Sequence, residues 1–87
     1  MRFTLYETDG ICHVKEVTPS SSVIFPLAVS KQTVVELLIE MLSNPEQRDA
    51  ASGPIRVERM RDGLRLAVGA GTFTVPYAFI FPLVMEA

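Results

Sequence analysis

At 87 residues the chain is long enough for one domain and too short for two. A domain of this size buries only about 60–65% of its unfolded surface. Yet 48% of the residues are hydrophobic and the mean hydropathy is +0.29, a surplus of apolar side chains that points toward association. The net charge of −2 and the pI near 5.2 argue against a non-specific nucleic-acid binder, and a single cysteine excludes an intrachain disulfide. The longest apolar run, Val75 to Met85, is broken by Pro76 and Pro82 and is too short for a bilayer span. Met1 opens the chain without a signal peptide or tag, so the expectation is a complete small reading frame in the reducing cytoplasm.

Residues 2–7 alternate Phe3 and Leu5 against Arg2, Thr4 and Tyr6, and residues 11–17 alternate Cys12 and Val14 against Ile11, His13, Lys15 and Val17. Asp9-Gly10 between them supplies the positive-φ positions of a tight hairpin. Thr18 to Ser22 reads as a loop, and Val23 to Val29 as a short apolar strand leading into a helix, with Pro26 favouring an edge or a bulge.

Ser30 to Asn44 is the one stretch with helical periodicity. Val34, Val35, Leu38, Met41 and Leu42 follow the i, i+1, i+4, i+7, i+8 pattern, Ser30 is a suitable N-cap, and Pro45 ends the run. Leu37 and Ile39 widen the apolar arc to roughly 200°, about twice what one sheet covers. Either a curved sheet wraps this helix, or one of its flanks meets a second copy of the chain.

Pro45 to Pro54 is a polar connector. Residues 54–60 bury Ile55 and Val57, Arg61-Asp62-Gly63 turns, and residues 64–68 bury Leu64, Leu66 and Val68, a second hairpin. After Gly69-Ala70-Gly71, residues 72–85 carry Phe73, Val75, Tyr77, Phe79, Phe81, Leu83 and Met85 on one parity, as one long edge strand or two strands broken at a proline. Ile24-Phe25-Pro26-Leu27 recurs as Ile80-Phe81-Pro82-Leu83, so residues 2–29 and 55–85 are candidate copies of an internal duplication. The expectation is a single α+β domain over residues 1–87 in the order β-β-β-α-β-β-β. An antiparallel curved sheet, or two meanders, packs around one central helix.

The chemistry is sparse. Cys12 and His13 are strand neighbours and point to opposite faces, so they do not form a dyad. Gly69-Ala70-Gly71-Thr72 lacks the third glycine of a dinucleotide fingerprint and the Gly-Lys pair of a phosphate loop. Glu36 and Glu40 share a helix face without a third ligand. Arg56, Arg59, Arg61 and Arg65, with Arg48 upstream, place five of the eight basic residues within 18 positions. They are candidate contacts for an anionic partner, diluted by Glu46, Asp49, Glu58 and Asp62. The expectation is therefore a non-enzymatic protein-binding or regulatory protein, an inhibitor for instance, with no cofactor or metal. It acts as a homodimer on a protein partner, through Leu37, Ile39, Tyr77, Phe79 and Phe81. A nucleic-acid module built on the arginine hairpin and the aromatic C-terminal strand ranks second.

Overall fold

The computed structural model describes all residues from Met1 to Ala87. Strands β1 (Arg2–Thr8) and β2 (Ile11–Thr18) form the first hairpin, with Leu5 opposite Val14 and Tyr6 opposite His13. Asp9 and Gly10 take φ of 54° and 77°, the two left-handed residues a two-residue turn needs to match strand twist. Strand β3 (Ser21–Pro26) pairs antiparallel with β2, completing a three-stranded sheet in sequence order.

Strand pairing does not stop at Pro26. Leu27 donates its N–H to the Cys12 carbonyl and Cys12 donates to the Val29 carbonyl, at 2.9 and 2.7 Å. Three residues, Leu27 to Val29, thus stand opposite Cys12 alone, and Ala28 in the middle has φ 63°. This bulge redirects the chain off the sheet and into helix α1 (Lys31–Ser43). Ser30 caps the helix through its hydroxyl, which accepts from the Thr33 N–H.

The second half is a four-stranded antiparallel meander, β4 (Asp49–Ser52), β5 (Ile55–Arg59), β6 (Gly63–Val68) and β7 (Gly71–Pro76), followed by helix α2 (Tyr77–Met85). The class is α+β with two antiparallel sheets, and the order is β-β-β-α-β-β-β-β-α.

Two elements differ from the sequence expectation. Within the connector 45–54, residues 49–52 form β4, a short edge strand of weak intrinsic propensity that exists because β5 offers it a ladder. Residues 72–85 are neither one strand nor two. Strand β7 stops at Pro76 and the rest is helical, with Pro82 inside α2 and its missing N–H leaving the Ala78 carbonyl without its helical donor. The two Ile-Phe-Pro-Leu segments therefore occupy different settings, strand and bulge in one case and helix in the other, and the duplication has no counterpart in the fold.

The sheets and helices share one core of 17 buried hydrophobic residues. Helix α1 contributes Val34, Leu37, Leu38 and Met41, and α2 contributes Ile80 and Leu83. An aromatic cluster joins the halves: Phe3 of β1 meets Phe73 of β7 edge-on at 6.1 Å and Phe79 of α2 at 5.0 Å, while Phe25 of β3 lies 5.8 Å from Phe73. Gly63 permits close approach at the β6–β7 ladder, since a Cβ there would stand 2.1 Å from the Val75 carbonyl oxygen.

Candidate functional site

The wide apolar arc of α1 divides into two parts. Val34, Leu37, Leu38 and Met41 face the core, while Ile39 and Leu42 remain exposed on the flank beside α2. Helix α2 carries no charged residue, and Tyr77 alone among its side chains bears a polar group. It presents Ile80 and Leu83 inward and Phe81 and Met85 outward. A helix apolar all round is ordinarily buried on every side; here one side faces solvent.

The C-terminal halves of the two helices run beside each other and enclose a groove of about 470 Å³, lined by Ile39, Leu42, Ser43, Phe81, Val84 and Met85. Exposure along it reaches 46% for Ile39, 39% for Leu42, 64% for Phe81 and 67% for Met85. Isolated exposed apolar residues are ordinary; four that converge on one groove form a patch of the kind that marks an interaction surface.

The expected interface residues separate accordingly. Ile39 and Phe81 meet at the groove. Leu37 is buried, and Phe79 is half-buried, its ring packed against Phe3 at the edge of the core and outside the groove. Tyr77 lies at the start of α2, where its hydroxyl donates to the Met60 carbonyl and ties the helix to the turn between β5 and β6. Leu42, Val84 and Met85 belong to the groove and were not singled out in the sequence. Leu42 stands in the helical pattern of α1 without being assigned to the interface; reading residues 77–85 at helical spacing would have found the other two, since Phe81 and Met85 are one turn apart and Val84 follows Leu83 on the neighbouring flank.

The arginines are mostly committed within the fold. Arg65 on β6 lies opposite Glu58 on β5 and bonds it at 3.0 Å, and Arg56 pairs with Asp49 of β4. These are cross-strand pairs on the outward face of the second sheet. Arg59 turns inward at the sheet end and donates to the carbonyls of Gln47, Met41 and Asn44, closing the C-terminal end of α1. Arg61 alone of the four is exposed without a salt bridge.

Cys12 and His13 face opposite sides of β2: the thiol is buried in the core, and the imidazole stacks on Tyr6 with centroids 5.1 Å apart. Burial pushes the Cys12 thiol up to about 11, with the Glu7 carboxylate adding to the rise and Lys31 opposing it. Glu40 accepts from the Gln47 side-chain amide and Glu36 is exposed, so the two carboxylates are solvated. No three of the His, Cys, Asp and Glu residues gather as a metal-binding group, and no helix is long and apolar enough to cross a membrane. Among known proteins, no family model, no curated protein and no solved structure matches the chain.

Proposed function

We propose that this is a non-enzymatic, protein-binding regulatory or inhibitory protein of the cytoplasm that works as a homodimer joined through the α1–α2 face. The observation that carries the reading is the uncharged helix α2, with Phe81 and Met85 exposed beside Ile39 and Leu42. These four side chains are already partly covered, so completing their burial stabilises a contact by about 1 kcal/mol each before the costs of association are subtracted.

A second copy is the fitting occupant because of how charge is distributed. The carboxylates Glu36 and Glu40 lie on the polar stripe of α1, and α2 has none. A two-fold arrangement that lays α2 of one copy against the groove of the other brings no like charges face to face. The dimer leaves the outer faces of both sheets free for a protein partner.

The test is sedimentation or light scattering at micromolar concentration. The intact protein should behave as a particle of twice 9.6 kDa. Phe81→Asp combined with Met85→Asp should give a folded particle of single-chain mass, with circular dichroism as the check on folding. Arg61→Ala, away from the groove, should leave the dimer intact. A wild-type protein of single-chain mass at these concentrations overturns the reading.

A further inference from the structure

A second surface, sharing no residue with the α1–α2 groove, lies on the outward face of the first sheet. Register sets which side chains share this face. Arg2 lies opposite Val17, Thr4 opposite Lys15, and Tyr6 opposite His13. Arg2 and Lys15 are therefore diagonal neighbours across the β1–β2 ladder, roughly 7–8 Å apart at the backbone. Arg2, Thr4, Tyr6, Lys15 and Val17 line a shallow basin of about 450 Å³.

The charge on this face is uncompensated. Neither Arg2 nor Lys15 makes a salt bridge or a side-chain hydrogen bond, whereas Arg56 and Arg65 on the second sheet both have carboxylate partners. None of the outward positions of β1, β2 and β3 is Asp or Glu. Glu7 and Glu16 belong to the opposite parity, where Glu7 pairs with Cys12 in register and accepts the Lys31 N–H at 2.8 Å, and Glu16 lies opposite Phe3. Two like charges held on neighbouring strands without a counterion destabilise the sheet, and an anion between them would reverse that.

The basin's polar groups are all able to donate. Arg2 and Lys15 only donate, and the Thr4 and Tyr6 hydroxyls can donate once an acceptor arrives. Such a set recognises a ligand rich in acceptor oxygens and negative charge, which is the chemistry of phosphate. The Tyr6 ring is held flat against His13, 12° from parallel, so its hydroxyl is presented from a fixed position. His13, stacked on Tyr6 on the same face, keeps its buried Nδ1 without a hydrogen-bond partner. The basin is larger than one phosphate group and leaves room beside Val17 for the organic part of an ester.

We infer that the outward face of the first sheet binds a phosphate ester, with Arg2 and Lys15 clamping the phosphate and the Thr4 and Tyr6 hydroxyls completing its hydrogen bonds. The site is open, so affinity is modest and falls as salt rises.

The experiment is a two-dimensional amide NMR titration of the full chain at low salt with adenosine monophosphate, and in parallel with a short single-stranded oligothymidylate. Shifts should concentrate on residues 2–6 and 13–17. Arg2→Gln and Lys15→Gln, both surface changes on a paired strand, should each weaken binding about tenfold while leaving the rest of the spectrum in place. Tighter binding of the oligonucleotide at the same amides assigns the phosphate to a nucleic-acid backbone; equal or weaker binding assigns it to a free ester. Absence of localised shifts at millimolar ligand, or shifts that persist unchanged when Arg2→Gln and Lys15→Gln are combined, overturns the inference.

Discussion

Cys12 shows how far burial alone can set the chemistry of a residue. Its thiol has no room for a hydrating shell, and the nearby Glu7 carboxylate further disfavours a thiolate, so the folded protein holds the proton up to about 11 against an ordinary 9.0. The unfolded chain gives up that proton first. Stability should therefore be unaffected by this group below pH 9.0, fall by up to about 1.4 kcal/mol per pH unit as pH rises toward 11, and level off above. Urea unfolding of wild type and Cys12→Ala across this range should isolate the effect, because the variant lacks that slope while sharing every other titrating group. The opposite facing of Cys12 and His13 follows from strand alternation and was legible in the sequence. The left-handed Ala28 was not, because nothing in Leu27-Ala28-Val29 marks a bulge; the two backbone bonds to Cys12 impose it.

At the level of elements, α1 lacks a basic side chain in its last turn to answer its exposed carbonyls. Arg59 supplies one from β5, its guanidinium reaching the carbonyls of Met41, Asn44 and Gln47. Arg59→Ala should lower stability by about 1.5–3 kcal/mol in denaturant unfolding. Arg59→Lys should recover only part of it, since a single ammonium cannot span three separated acceptors. The role was hidden in the sequence, where Arg59 reads as one arginine among several; inward parity at the end of a strand gives it a different task from Arg56 and Arg65. The hairpins and α1 were legible because Asp9-Gly10, the alternating parity and the Ser30 cap each act locally. Strand β4 and helix α2 were not. Asp49-Ala50-Ala51-Ser52 has no strand signal of its own, and residues 77–85 are apolar at nearly every position, so period 2 and period 3.6 fit them equally well. Packing of Ile80 and Leu83 into the shared core decides the matter.

For the whole molecule, the single-chain core takes up 17 hydrophobic side chains. Of the nine large apolar side chains left exposed, four meet at the α1–α2 groove, while Val17, Val23 and Ile24 lie on the first sheet. If that groove closes a dimer, folding and association are linked. The midpoint of thermal unfolding should then rise as protein concentration rises from the micromolar range, and Phe81→Asp with Met85→Asp should abolish that dependence. A concentration-independent midpoint in the wild type would separate the groove from the stability of the fold.

The strand order also has a kinetic consequence. Every β-strand pairs with its immediate neighbour along the chain, so both meanders can zip up from short loops. Helix α2 behaves otherwise, because it rests against β1, roughly 70 residues earlier in the sequence. During synthesis the first hairpin would therefore form ahead of its partner, with Phe3 uncovered until α2 has emerged and docked Phe79 against it.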